Sequence, residues 1–539
     1  FIKSKNDVVL AFAHKDCVLE GGQTKEDQKR NEIFWNETLA PDSVDRLLDA
    51  KAFTNFKKYD KDGAHDVKEI TGEENLILKG NNLLVISSLL KTHRGKIKLI
   101  YIDPPYNTGN DGFNYNDSFN HSAWLTFMKN RLVVAKELLT DDGVIFVSCD
   151  DNEVAYLKVL MDELFERENF IDIFSWKKTD TPSNLAKKSK KVIEYIVCFE
   201  KQKDNVKYKG LPKNSKSSNG LMNKTNSTGI LSFPKNKIDT ALKNGVYSAG
   251  VYGTDNYEIV LLEDTEVKKG LFIKPVKLKG KFKWGQNKLD NEIANGTKLS
   301  IRTKTFSPSY EKSEYEIESP MNFIDSAMGV QTTEGAGKEL SKLFGKEVFA
   351  YPKSESLIKY LINIISNKLS KDDFILDYHL GSGTTSAVAH KLGYKYIGIE
   401  QMNYVNDVVV ERLVKVIEGE QNGISLDVDW QGGGSFVYAE LMEYNQYYLS
   451  KVQDAPTKES VIAIWEEMQD KAFISYQFNK DIFNERLEAF KTASLDEMKH
   501  YLVEVLDKNQ LYVNYSEIED DLFGVSENDK KLNYSFYKK

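Results

Sequence analysis

The chain has 539 residues, 41% of them hydrophobic and 29% charged, with a formal net charge of −8. That is the composition of a soluble globular protein of about two to four domains, and no apolar run approaches the roughly 18 residues that a membrane span needs. Cys17, Cys149 and Cys198 lie far apart without CxxC spacing and the seven histidines form no ligand pair, which argues against a disulfide framework or a zinc site and for a reducing cytoplasm. The chain starts at Phe1 and shows no signal peptide, so it is read as cytoplasmic with N-terminal residues missing.

Residues 1–70 mix charge and aromatics without periodicity and read as an N-terminal extension. From Glu74 the pattern becomes α/β. Lys98–Ile102 (KLIYI) is a short apolar strand that runs into Asp-Pro-Pro-Tyr. Ala123–Leu139 has helical spacing of Leu125, Met128, Leu132 and Leu139, and a DDG turn leads to a strand over Val144–Ser148. Tyr195–Phe199 is another strand. Residues 201–320 change character: they are rich in Lys, Asn, Ser and Gly, with a low-complexity tract from Lys203 to Ser227 and scattered Tyr247, Tyr252, Phe282 and Trp284. Lys201–Tyr310 carries 21 basic against 9 acidic residues, a balance of +12 that leaves −20 for the rest. An acidic average thus hides a basic module. Lys353–Leu369 reads as a helix, and Phe374–Tyr378 and Lys395–Glu400 as strands flanking GSGTTSAVAHKLG, a βαβ unit. The acidic tail opens with WQGGGSFVYAEL, whose glycines read as a turn, and has amphipathic helices near 458–470 and 482–507. The expected domains are therefore 1–70, 71–200, 201–320, 321–420 and 421–539.

Two motifs carry chemistry. In DYHLGSGTT, Asp377 to Thr385, the small residues Gly381, Ser382 and Gly383 let a ligand approach the backbone, and Thr384 opens a helix with free N–H groups. No Lys follows, as a P-loop requires, and Gly335–Glu339 (GAGKE) fails the same test. Ser386 stands where GxGxxG calls for a third Gly or an Ala. What remains is a nucleoside site without a pyrophosphate, with Glu400 placed to accept from both ribose hydroxyls. In DPPY, Pro104 and Pro105 stop the strand and present Asp103 and Tyr106 at its C-terminal edge, where open α/β sheets bind ligands. Asp103 and the Pro104 carbonyl can accept both N–H bonds of a planar amine while Tyr106 stacks on its ring.

Together these motifs resemble the amino-methyltransferases that use S-adenosylmethionine, where [DNS]PP[YF] marks the amine acceptor and an FxGxG-type loop the cofactor. The acceptor motif comes first here and a basic insert separates the two. That order is similar to the β group of DNA amino-methyltransferases, in which the insert is the target-recognition domain and DPPY implies adenine N6. TKEDQKRNEIF, APDSVDRLLD, YNDSFNHSAWLTFMKNRL, GVQTTEGAGKEL, GIEQMNYV and WQGGGSFVYAEL extend the resemblance to modification subunits of type III restriction-modification systems. The resemblance implies a Rossmann-like methyltransferase sheet with circularly permuted motif order, an inserted target-recognition domain and a C-terminal α-rich domain for dimerisation or partner contact.

Catalysis would rest on Asp103, Pro104, Pro105 and Tyr106, and cofactor binding on Asn81, Lys353, Asp377, His379, Gly381, Ser382, Gly383, Thr384 and Glu400. Trp176 is a candidate second wall of the base pocket, and Lys274, Lys283 and Arg302 are candidate DNA contacts. The resemblance implies as partners double-stranded DNA, a second copy of the chain and a separate helicase-nuclease subunit, and the sequence itself carries no Walker A motif. Three residues depart from the family pattern: His379 replaces the Phe of FxGxG, Asn81 the Asp of a common GD, and Ser354 the second Pro of PKP. The competing readings are methylation of RNA, protein amide or cytosine N4, and a non-catalytic DNA-binding subunit.

Overall fold

The computed structural model describes residues 10–19, 34–108, 120–182, 184–210, 219–312, 318–471, 483, 487–507 and 511–538. Most of TKEDQKRNEIF, the start of YNDSFNHSAWLTFMKNRL, the end of LIYIDPPYNTGN, part of the Lys203–Ser227 tract and the beginning of the 482–507 helix lie outside these residues. The chain divides into two units, Phe1–Tyr208 with Met321–Lys539, and Lys209–Pro320.

The first unit is built on one eleven-stranded sheet. Its strands are β1 (Phe53–Asp60), β2 (Gly63–Asp66), β3 (Leu76–Lys79), β4 (Ile97–Ile102), β5 (Leu139–Cys149), β6 (Phe170–Lys177), β7 (Ile193–Glu200), β8 (Phe323–Ile324), β9 (Phe374–Asp377), β10 (Lys395–Glu400) and β11 (Phe436–Leu441). Across the sheet they run β8-β6-β7-β5-β4-β9-β10-β3-β11-β1-β2. The six from β5 to β11 are parallel, while β7 and β1 pair antiparallel at the two ends of that run.

Every residue of β4 is buried, as in parallel strands covered on both faces. Alternate side chains feed two cores: Leu76 and Leu78 enter one and Ile77 the other. Helices α1 (Asn82–His93), α2 (His121–Leu138) and α3 (Val154–Phe165) cover the first face. Helices α4 (Glu355–Ile364) and α5 (Thr384–Leu392), with the helical stretch 405–417, cover the second. The result is a three-layer α/β sandwich of Rossmann-like topology.

The sheet reaches beyond the expected 71–420. β1, within the expected extension, and β11, within the expected tail, both belong to it. β1 escapes a sequence reading because an antiparallel strand near an edge mixes buried and exposed positions. The DDG segment is likewise part of β5, which starts directly after α2. Gly432, Gly433 and Gly434 all have positive φ, and a Cβ at Gly434 would lie 2.5 Å from His390 Nε2, so WQGGGS is a turn that only glycine fits.

Beyond β11 a helical module has its own small core around Trp465, Met468 and Leu502. Its helices include Lys458–Lys471 and, in place of one long helix, Leu487–Thr492 and Leu495–Asp507. A narrow neck joins it to the sheet: Met442 N–H donates to Ala52 O, Val513 N–H to Met442 O and Tyr444 N–H to Leu511 O. The chain then returns as helix Glu527–Tyr537, whose Phe536 and Tyr537 rings pack on Phe53 of β1.

The second unit holds a seven-stranded and a four-stranded sheet of short strands around Phe272, Leu278 and Phe306. Its aromatics serve that core. Tyr247 and Tyr252 pack on Phe306, Trp284 on Tyr310, and Phe282 is buried. Lys274, Lys283 and Arg302 are exposed on this unit, with Lys274 3.8 Å from Glu266. No helix among the described residues is long and apolar enough to cross a membrane.

Candidate active site

In the sheet, β4 leads through α2 to β5 on one side, while β9 leads through α5 to β10 on the other. Adjacent strands whose connections leave in opposite directions open a crevice at their C-terminal ends. A cleft lies there, lined by Asp103 and Pro105 at one end and by Asp377, Gly381 and Glu400 at the other. The two motifs read from the sequence thus share one space.

At the acceptor end, Asp103 follows β4 and its side chain is 26% exposed. The Tyr106 hydroxyl donates to Asp103 Oδ1 at 2.5 Å, with Glu194 Oε2 at 3.2 Å. Lys353 Nζ sits 2.9 Å from Asp103 Oδ2 and 3.1 Å from Glu194 Oε2. Burial opposes the Lys353 charge, yet Asp103 and Glu194 hold it above the ordinary lysine range. Burial alone would raise Glu194, but Lys353 and Lys178 pull its carboxyl below the usual range. Burial and then the two acids push the Tyr106 phenol well up, so it stays a donor. Trp124 Nε1 donates to the Pro105 carbonyl at 2.8 Å and ties α2 to the dipeptide.

At the other end Asp377 is buried, and this drives its pKa up to about 7 against the Thr385 hydroxyl and the His379 N–H that bond it. Glu400 accepts from the backbone N–H groups of Gly381 and Met402 at 2.8 and 2.9 Å, and burial raises its carboxyl. The Tyr404 hydroxyl and the Gln401 N–H also bond this carboxylate. Gly381 and Gly383 have φ of 56° and 81°, and a Cβ on Gly383 would come 3.1 Å from Val409. Under this loop Arg412 donates to the Ser382 carbonyl and the Thr384 hydroxyl, at 3.0 and 2.9 Å, and pairs with Glu355 at 2.9 Å. Lys391 closes the cluster on Glu355 and Glu420. The rings of Phe349 and Tyr404, 5.4 Å apart, also line the cavity.

Several expectations shift. Lys353, assigned to the cofactor from its motif, lines the cleft, accepts from the Thr384 hydroxyl through its carbonyl and places its ammonium on Asp103 and Glu194. Trp176 is not an open wall of the base pocket: it is 0% exposed, lies in the second core, and donates to the Gln331 carbonyl. Asn81 caps α1, its Oδ1 accepting from Leu83 and Leu84 N–H, and is not among the cavity-lining residues. Since Asn and Asp cap equally well, the departure from GD is tolerable there. Ser354 caps α4 through Ser356 N–H, a role Pro lacks. His379 does line the cavity. Burial and then Arg131 depress its pKa well below the usual value, so a neutral ring packed near Phe127 replaces the expected Phe. Glu194, Trp124, Arg412, Glu355 and Phe349 went unread. An acid inside the apolar IEYIVCF of β7 was the one visible signal among them.

The fold and this site define a class. The family model described as DNA methylase matches residues 97–411, and the chain belongs to that family. It is 36% identical to the probable type III restriction-modification enzyme HindVI Mod subunit of Haemophilus influenzae, over 100% of this chain and 86% of the relative. It is 31% identical to the EcoPI Mod subunit of Escherichia phage P1, over 63% of this chain and 58% of that one. The chain is thus a member of the type III Mod subunits. Among solved structures, the cytosine-N4-specific PvuII DNA methyltransferase is 12% identical with a TM-score of 0.35, over 68% of this chain and 94% of that one. The M1.HpyAVI–SAM complex is 14% identical with a TM-score of 0.31, over 62% and 99%.

Proposed function

We propose that the protein methylates N6 of an adenine extruded from duplex DNA, using S-adenosylmethionine, within a restriction-modification system. The observation that carries this reading is the shared cavity, with Asp103 and the proline-fixed loop at one end and the Asp377–Glu400 cradle at the other. The cradle suits the cofactor: two carboxylates suit a cationic nucleoside, and Gly381, which lines the cleft, leaves the backbone approachable. When bound, S-adenosylmethionine supplies a methyl group already activated on a sulfonium. Glu400 would accept from the ribose hydroxyls and Asp377 would offset the cofactor's positive charge, with the Phe349 and Tyr404 rings also lining the cleft.

The chain's other residues prepare the amine. Its lone pair is delocalised into the purine, so Asp103 and the Pro104 carbonyl accept its two N–H bonds and localise it. Trp124 holds the dipeptide in place, and Tyr106 replaces the stacking lost on extrusion. Orientation and electrostatics are the protein's contribution. Residues 201–320 act as the target-recognition domain, with Lys274, Lys283 and Arg302 on phosphates or base edges. A homodimer and a separate helicase-nuclease subunit complete the assembly, with 421–539 as the contact region.

Single-molecule sequencing of DNA exposed to the protein and cofactor tests the reaction. N6-methyladenine in one sequence context is expected; N4-methylcytosine, or no modification with DNA binding intact, would overturn it. Reversing Lys274, Lys283 and Arg302 to Glu is expected to weaken DNA binding and leave cofactor binding unchanged.

A further inference from the structure

β7 runs antiparallel to β5, so its first residues lie at the same sheet edge as the ends of β4 and β5. Glu194 sits there with its side chain 9% exposed. Its Oε1 is 3.1 Å from Lys178, and its Oε2 is shared by Lys353 and Tyr106. The Lys353 ammonium therefore bridges two acids and lies 5.1 Å from the centroid of the Tyr106 ring. In the proposed site the substrate amine bonds Asp103 while its ring stacks on Tyr106. Lys353 thus already engages both side chains that the base would use.

We infer that Glu194 is a positioning residue: it receives the Lys353 ammonium when the substrate amine takes Asp103, and hands it back after transfer. This rests on reading the site as an amine acceptor. A buried ammonium stripped of its only partner is strongly unfavourable, whereas one that keeps a second carboxylate stays compensated. The 3.1 Å contact to Glu194 supplies that second partner, so entry of the base replaces one ion pair with a hydrogen bond from the neutral amine to Asp103 and leaves the ammonium with a carboxylate. The return follows from the product. A methylated amine has one N–H where the substrate had two, so it holds Asp103 and the Pro104 carbonyl with one bond fewer, and the ammonium reclaims the acid. Lys353 keeps its proton throughout, and no covalent step is added.

The test uses the full chain and a duplex carrying the site found by sequencing, with adenine or with purine, which lacks the amine, at the target. Without cofactor, Glu194→Gln is expected to lower the preference for adenine over purine about tenfold. The single-turnover rate falls by a similar factor while cofactor affinity is unchanged. In a Lys353→Met background, adding Glu194→Gln changes neither quantity. Wild-type behaviour of Glu194→Gln, or an equal loss in the Lys353→Met background, would overturn the inference. If Glu194→Gln does not fold, Glu194→Asp decides: a partial loss that disappears with Lys353→Met supports it, and one that persists rejects it. Asp103→Ala run alongside separates the claims, because an active Asp103→Ala would sink the site reading itself.

Discussion

Asp103 and Asp377 end neighbouring parallel strands, β4 and β9, and line one cavity, yet they live in opposite surroundings. Asp103 is partly open and ringed by a lysine and a phenol. Asp377 is buried with a hydroxyl and one backbone N–H, and titrates near 7. The same residue at the same topological station is paired with a lysine in one place and buried and proton-sensitive in the other. The difference comes from what α4, β7 and α5 bring to each strand end.

The contrast breaks most sharply at its open end. Asp103→Ala is expected to cut methyl transfer by about 10³-fold while cofactor affinity stays within about threefold, read by labelled-methyl incorporation and calorimetry. On the buried side, Arg412→Met strips the Ser382 carbonyl and Glu355 of a shared cation. It is expected to cost about 3 kcal/mol of stability, seen as a lower urea midpoint with weakened cofactor binding.

Asp377→Asn sharpens the comparison through pH. Wild-type affinity for a cationic cofactor rises as pH climbs through about 7 and Asp377 ionises. The variant binds with a flat profile, about tenfold weaker at pH 8. Folding runs the other way. A carboxyl raised above its unfolded value adds stability that is complete below the unfolded pKa and lost as pH rises through about 7. Asp377→Asn therefore raises Tm at pH 8 and changes it little near pH 4. The smallest effects come at the third strand end: Asn81→Ala loses about 1 kcal/mol of stability as a helix cap, and Asn81→Asp less than about 0.5 kcal/mol.

Both aspartates were legible because their neighbours in sequence announce them. Prolines cannot continue β4, and the glycines after Asp377 can only be a turn into a helix. The strands they end are buried on both faces and read as apolar runs. Glu194 was not legible as a site residue, because its place depends on β7 running antiparallel and on a register that sets it beside Trp176. Lys353 and Asp103 are likewise joined by the fold and not by spacing. Arg412 was hidden in an apolar helical stretch, where only the packing against α5 shows which residue it supports. β1 and β11 were missed for a different reason: a strand added at the margin of a sheet needs little hydrophobic signal of its own.

The neck formed by 442–444 and 511–513 turns the helical module into an excursion from one hairpin. Because the chain leaves and re-enters at paired backbone positions, substitutions, insertions or losses on its far side are expected to leave β11 and the returning helix Glu527–Tyr537 where they are. Selection can therefore remodel this part of the chain at a pace of its own, without disturbing the strands that carry Asp103 and Asp377.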